Sequence, residues 1–412
     1  MRATGTGFRT LRRWAGAMAL LVLAAWPAQA QEQTIRLGLL LSRAEGFNTS
    51  VRAGALMGEE ELNEQAQAAG IRFEIVAARG GHSSEVAAEA TGLIDREGVQ
   101  ALLGSVSDAG TVALSELAQE RGLVFFNITN DLDSLRGAKC RRNTFHIAPS
   151  QTMRVRALGL WAVQAKEWKN WVILEGDGKS EGRMAGIARD YVESRGGKIL
   201  DTIPVTDTDA HDPGAILARL RAARAQFIFA ALTGEKQELA MEAIQGAKLG
   251  IPAGGAEPEL ARMGRDTAKF DGYWTTGWNH RNNIFGASEL NNRFAAFAGL
   301  PMNERAWSAW AAVKVLGEAV LRAKSARAAD LVPYLQEQAQ FDGYVGSALS
   351  FQPWNHQLRQ VLQVVRVNHE TPWNGWDSVV PEATVPFRGM KGIQGDPLDA
   401  FSPGAEESGC KM

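Results

Sequence analysis

The stretch from Ala101 to Asp131, ALLGSVSDAGTVALSELAQERGLVFFNITND, constrains the fold more than any other. A short apolar run over residues 99–103 stops at Gly104 and gives way to the polar turn Ser105-Val106-Ser107-Asp108-Ala109-Gly110. Val112, Leu114, Leu117 and Ala118 then recur at helical spacing as far as Gly122, a residue suited to ending a helix. A second apolar run, residues 123–126, breaks into Asn127-Ile128-Thr129-Asn130-Asp131. Strand, turn, helix, strand, turn is a βαβ unit, which makes its two strands parallel. Both polar turns then sit at the carboxyl ends of neighbouring strands, where open α/β sheets hold their ligands. The plainer alternative is a pair of solvated loops whose Ser, Asn and Asp side chains cap helices.

The same alternation runs along the chain. Residues 34–41 and 71–77 read as strands, and 51–69 (capped by Ser50) and 83–94 as helices. Past Cys140 the pattern restarts, with helices over 152–165, 182–195, 213–223 and 235–249. Strands over 171–174, 199–205, 227–232 and 272–276 fall among them. Helices over 304–324 and 329–339 follow, then strands over 344–351 and 359–367. The fold class expected is α/β, with two doubly wound parallel-sheet lobes joined by a three-strand hinge. Crossings are expected near Ala148, Thr276 and Ser350. Lobe 1 is then 31–148 plus 277–350, lobe 2 is 149–276 plus 351–369, and 370–412 is an extended tail rich in Pro and Gly.

Residues 1–30 have the form of a secretory signal peptide. Arg2, Arg9, Arg12 and Arg13 precede an apolar run over 15–25 and a small-x-small cleavage site, Ala28-Gln29-Ala30. Cleavage after Ala30 and export to the periplasm are expected. No later segment approaches the length of uninterrupted apolar sequence a membrane span needs, so no direct membrane insertion is expected. Removing the leader leaves 382 of 412 residues, more than one core comfortably serves. Its four arginines and lack of acids move the formal charge from −2 to −6, which courts neither nucleic acid nor an anionic surface. In an oxidising compartment the two cysteines, Cys140 and Cys410, suggest a disulfide pinning the tail across lobe 1, with two free thiols as the alternative.

Catalytic patterns are missing from the sequence. Gly178-Lys179-Ser180 follows a strand, but a phosphate loop needs a glycine where Ile173 stands. The six histidines never fall at i, i+4 spacing, as a zinc hydrolase would require. Asp131-Leu132-Asp133 lacks the third acid and the glycine of a calcium loop, and there is no G-x-S-x-G elbow. No enzyme, metal or cofactor is expected. Trp307 and Trp310 lie on an apolar helix face and read as core.

The segments TIRLGLLL, ALLGSVSDAG, ERGLVFFNITN, FHIAPS and ERAWSAWAAVKVLGEAV together resemble the type I periplasmic solute-binding proteins of ABC transporters. The resemblance covers nearly the whole mature chain and is to the branched-chain amino acid (leucine/isoleucine/valine) group. Within it, NITNDLDSLRGAKCRRNTFHIAPS most resembles a subset linked to pyrroloquinoline-quinone (PQQ)-dependent alcohol dehydrogenase systems. The resemblance implies a ligand pocket, carried over residue by residue. Asp108, beside Ser107, stands where members present a serine that holds the ligand carboxylate. Thr129 and Asp131 stand for a small residue and a threonine or serine after the fourth strand. Phe47 corresponds to the aromatic after strand one, and Glu257 to the acid that meets the ligand ammonium. Arg79-Gly80-Gly81-His82 replaces the usual paired aspartates, and the loop holding Asp177 lacks the usual stacking tyrosine. Trp278, flanking the second crossing, completes the candidate set.

The resemblance implies the substrate-binding component of an ABC importer, closing its lobes around a small polar ligand for an inner-membrane permease. The departures at the pocket point away from a branched-chain amino acid. A sensing receptor subunit without transport, or a true amino acid binding protein, are the alternatives.

Overall fold

The computed structural model describes residues 33–43, 45–256, 270–367, 378–391 and 395–412, so the expected signal peptide lies outside the described residues. Lobe 1 begins with β1 (Gln33–Ser42), α1 (Glu45–Ala66), β2 (Ile71–Gly80), α2 (Ser83–Asp95), β3 (Ala101–Ser105), α3 (Asp108–Arg121), β4 (Val124–Asn127) and β5 (Thr144–His146). Its strands form one wholly parallel sheet in the order β2-β1-β3-β4-β5. Lobe 2 runs through α4 (Gln151–Gln164), β6 (Asn170–Gly176), α5 (Lys179–Ser194), β7 (Lys198–Val205), α6 (Asp207–His211) and α7 (Gly214–Ala223). It continues with β8 (Phe227–Ala231), α8 (Gly234–Gly246), β9 (Ala253–Gly255) and β10 (Gly272–Thr276). The chain then returns to lobe 1 with α9 (Ala287–Ala298), α10 (Glu304–Ala323), α11 (Ala328–Glu337), β11 (Phe341–Asp342), β12 (Ala348–Phe351) and β13 (Leu358–Arg359). Last come β14 (Leu362–Val367), β15 (Val379–Val385) and α12 (Ala405–Ser408).

The lobe 2 sheet is β7-β6-β8-β9-β10-β14-β15, with five parallel strands, then β14 antiparallel to β10 and β15 antiparallel to β14. Both sheets are covered on both faces, which is why their strands read as unbroken apolar runs. Leu37, Leu39 and Leu41 of β1 face a core completed by Leu62 of α1 and Trp307, Trp310 and Leu316 of α10. Leu40 and Leu102 face the other way, against Val86 and Ala90 of α2 and Leu114 of α3. In lobe 2, Trp171 and Ile173 face Leu158 of α4 and Met184 of α5, while Val172 and Leu174 face Leu220 of α7 and Met241 of α8.

Three local expectations are revised. Helix α1 starts at Glu45, ahead of Ser50, whose Oγ instead accepts from Asn303 Nδ2 at 2.9 Å. Asn303 caps α10 by accepting from the Ala306 amide at 2.9 Å, so one asparagine starts α10 and ties it to α1. Residues 344–351 do not cross to lobe 2. They supply β12, the middle strand of the small β11-β12-β13 sheet on lobe 1, and the third passage follows at residues 360–361, between β13 and β14. The tail is not wholly extended wrapping either, because Val379–Val385 forms the edge strand β15.

Candidate functional site

Both parallel arrays have the same order, second-first-third-fourth-fifth, so the winding reverses between β1 and β3 in lobe 1 and between β6 and β8 in lobe 2. Loops diverge at such a switch point and leave a crevice beyond the carboxyl ends of the strands. The loop after β3 carries Ser107 and Asp108, and the loop after β6 carries Asp177. Hydrogen bonds join these two edges. The Asp131 carbonyl accepts from the Gln151 amide at 2.9 Å, and Asp133 Oδ1 accepts from the Thr152 amide at 3.2 Å. Gln151 Nε2 in turn donates to Ser180 Oγ at 2.8 Å. A continuous polar path therefore leads from the end of β4, through the first turn of α4, to the first turn of α5.

On the lobe 1 side, Ser107 is the N-cap of α3 and accepts from the Gly110 amide at 3.3 Å. Asp108 opens the helix, where a negative charge is favoured, and its carboxylate accepts from Asn130 Nδ2 at 2.6 Å. Asn130 is itself fixed by Asn127, which accepts from its amide at 2.9 Å and donates to its carbonyl at 2.7 Å. The Thr129 hydroxyl donates to Ser105 Oγ at 3.1 Å. Asp131 is half-buried. Loss of water pushes its carboxyl above the ordinary range, and the Arg154 and Arg136 guanidiniums pull it back. The structure thus brings Ser107, Asp108, Thr129 and Asp131 together at the ends of β3 and β4, with Asn130 as the clamp between them. Sequence reasoning passed over Asn130, although two asparagines three residues apart at a strand end are a turn signal.

On the lobe 2 side, Lys236 of α8 pairs with Asp177, with Glu181 Oε2 at 3.0 Å and, at the edge of range, with Asp207 Oδ1 at 4.0 Å. Glu181 is buried and accepts from the Gly178 and Thr233 amides, both at 2.9 Å, which fixes the loops after β6 and β8. Burial alone would raise its pKa, but Lys236 and those amides outweigh it and hold it below the ordinary value. The hydrogen bond from Lys236 also lowers Asp177. Asp177 is therefore already paired within lobe 2, and Lys236 and Glu181 were not singled out from the sequence.

Trp278 is not in the cleft. Its side chain is 1% exposed in the lobe 1 core, stacked on Trp307 at 5.7 Å with Nε1 donating to Asn291 Oδ1 at 2.9 Å. Glu257 lies outside the described residues, as does the side chain of Phe47; the backbone of Phe47 belongs to the first turn of α1.

The hinge is knit by buried polar groups. Glu304, at the start of α10, accepts from Arg154 Nη1 of α4 at 3.0 Å, from the Thr276 hydroxyl at 3.0 Å and from the Gly277 amide at 2.6 Å. Arg154 and Glu304 are 1% and 5% exposed. Burial would raise the Glu304 pKa, yet Arg154 and these donors bring it below the ordinary value. Gln360 Nε2 donates to the Ile147 carbonyl at 2.7 Å and so fastens the first passage to the third, while Arg136 Nη2 of lobe 1 donates to the Ala148 carbonyl at 2.7 Å.

Two surface cavities of about 850 Å³ open on lobe 1 away from this cleft. Of the charges lining one, Glu61 meets Arg293 at 3.3 Å and Lys314 at 3.5 Å. Among the described residues, no group of three or more His, Cys, Asp or Glu is placed to hold a metal ion. None of their helices is long and apolar enough to cross a membrane.

Two α/β lobes with matched switch points, joined by three passages, have the architecture of proteins that close on a solute. The chain belongs to the periplasmic binding protein family, whose model matches residues 34–372, and members of this family bind solutes without transforming them. No curated protein matches the chain. Among solved structures it is similar to a branched-chain amino acid ABC transporter periplasmic ligand-binding protein from Burkholderia xenovorans, with 20% identity and TM-score 0.80 over 91% of this chain and 98% of that one. It is also similar to the closed leucine-, isoleucine-, valine-, threonine- and alanine-binding protein of Brucella ovis, with 16% identity, TM-score 0.73, and 85% and 95% of the two chains covered. A solute-binding protein from R. palustris in complex with benzoate gives 18% identity and TM-score 0.64, over 85% of this chain and 98% of that one. At these identities the likeness is one of fold.

Proposed function

We propose that the chain is the periplasmic substrate-binding component of an ABC importer, and that its ligand brings hydroxyls or a positive charge to Asp108. The lobes close around the ligand, and an inner-membrane permease receives the closed form. A compound linked to PQQ-dependent alcohol oxidation fits this reading, which the resemblance of residues 127–150 supports. The fold also accepts ligands other than amino acids, as the benzoate complex illustrates.

The observation that carries the reading is Asp108 at the lobe 1 switch point, where the family resemblance implies a serine facing a ligand carboxylate. Two negative charges about 4 Å apart repel by about 4 kcal/mol even at an effective dielectric of about 20. That is roughly a thousandfold in affinity. Asn130 donates to Asp108, and Asp131 adds a second carboxyl nearby. Simple branched-chain amino acids are therefore poor ligands.

Thermal-shift measurements with polyols, small alcohols, amines, acids and amino acids test this directly, because a ligand of the folded state raises the melting temperature by mass action. A hydroxylated or cationic compound is expected to stabilise the protein and to compact it in small-angle scattering. Asp108→Ser should weaken that compound and admit amino acids. Micromolar leucine or valine binding to the unaltered protein, indifferent to Asp108→Ser, would overturn the reading.

A further inference from the structure

Residues 395–412 are tied alternately to the two lobes. Asp396 and Asp399 pair with Arg359 of β13 at 2.6 and 2.9 Å, and Leu398 packs into the lobe 1 core. Phe401 is fully buried in the lobe 2 core. Glu407 Oε2 accepts from Arg156 Nη1 of α4 at 3.1 Å, again on lobe 2. The segment then returns to lobe 1. The Ser408 carbonyl lies so close to Gly137 that a Cβ there would approach it to 2.6 Å, and Cys410 is disulfide-bonded to Cys140 with their Cα atoms 5.7 Å apart. Arg359 immediately precedes the third passage, and Arg156 lies in the second turn of α4 after the first passage. The ties therefore bracket the hinge.

We infer that residues 395–412, locked to lobe 1 by the Cys140–Cys410 bond, restrain the hinge and set how far the lobes open without ligand. The two ends of the segment belong to lobe 1 and its middle to lobe 2. Rotation that carries α4 away from Cys140 must pull Phe401 from its pocket and part Glu407 from Arg156. While the disulfide holds, the segment cannot relieve that pull by peeling from its free end. With the bond cut, Cys410 and Ser408 can leave with lobe 2, and the barrier to wide opening falls. A narrower open ensemble loses less conformational freedom on closing, so the restraint favours ligand binding.

The test uses the whole chain without ligand, so its outcome does not depend on the ligand proposed above. Spin labels attached through maleimide to Glu120→Cys on α3 and Glu193→Cys on α5 report the distance between the lobes by pulsed electron resonance. The oxidised protein should give a narrow distribution. Dithiothreitol, or Cys140→Ser with Cys410→Ser, should broaden it and move its mean to longer distance, and Glu407→Ala with the disulfide intact should produce a smaller change in the same direction. Circular dichroism confirms that each form is folded. An unchanged distribution in the folded reduced and substituted forms would overturn the inference. So would loss of the native circular dichroism on cutting the bond, which would make it a requirement for folding rather than a restraint on the hinge.

Discussion

His356 is completely buried and lies flat on Phe145, with ring centroids 4.2 Å apart and planes within 2°. Burial lowers its pKa to about 4, against a weaker upward pull from its hydrogen bond to the Thr144 carbonyl. His146, 1% exposed and 3.1 Å from Asn127 Nδ2, is shifted the same way by burial and by Arg136. Both rings are neutral in the folded protein. Below pH 6.5 the unfolded chain takes up protons that the fold refuses, so stability is lost as pH falls, and the part due to His356 levels off below about 4. For His356 the loss is about 3 kcal/mol. Urea denaturation at pH 7 and pH 4.5 should show a larger fall for the unaltered protein than for His356→Asn, a residue that tolerates the positive φ of 55° found there. Equal falls would remove His356 as the cause. At this scale the sequence shows some residues and hides others. The placement of Ser107, Asp108, Thr129 and Asp131 at neighbouring strand ends was legible because a polar turn at a strand end has one place to go in a parallel sheet. Trp278 was misread because standing next to a crossing does not say which way a ring turns, and Asn291, thirteen residues on, is what draws its Nε1 inward.

Helices α1 and α10 approach most closely where α1 carries glycine. A Cβ on Gly54 would come within 2.0 Å of the Ala306 carbonyl oxygen, and one on Gly58 within 3.1 Å of the Trp310 carbonyl. Residues four apart on one helix thus meet residues four apart on the other, a ridge set into a groove. Gly54→Ala should destabilise the protein by about 1–3 kcal/mol, since backbone must yield to backbone. Gly186→Ala on α5, with nothing within 4 Å of the added carbon, should instead stabilise by up to about 1 kcal/mol. Chemical denaturation of the two variants decides, and equal effects would argue against the close crossing. Elements with a strong period were legible, α10 above all, with Trp307, Trp310, Val313 and Leu316 on an apolar face. Others carried little signal for physical reasons. Strand β9 is Ala-Gly-Gly, which has no strand preference, and Gly254 is required because a Cβ there would meet the Tyr273 carbonyl at 1.8 Å. Strand β15 contains Pro381, tolerated because the strand is an edge and its register with β14 shifts at that point.

For the molecule as a whole, the order in which its parts appear along the chain differs from the order in which its cores are assembled. Sheet strands β1 to β5 are made first, but the face bearing Leu37, Leu39 and Leu41 is sealed only by α10, and the lobe 2 sheet is finished only by β14 and β15. Native pairings such as Thr275 with Val364 and Val364 with Ala383 depend on residues near the end of the sequence. Such distant closures slow folding. A shortened chain of residues 31–300 lacks α10, β14 and β15, and calorimetry should find no cooperative melting transition in it; a sharp transition would show that a core closes without them. A growing polypeptide would therefore remain an unfinished, threadable string for about three-quarters of its synthesis. If the leader read from residues 1–30 directs the chain through a narrow secretion channel, this late completion is itself useful, because it keeps the protein in the only form such a channel admits until the far side is reached.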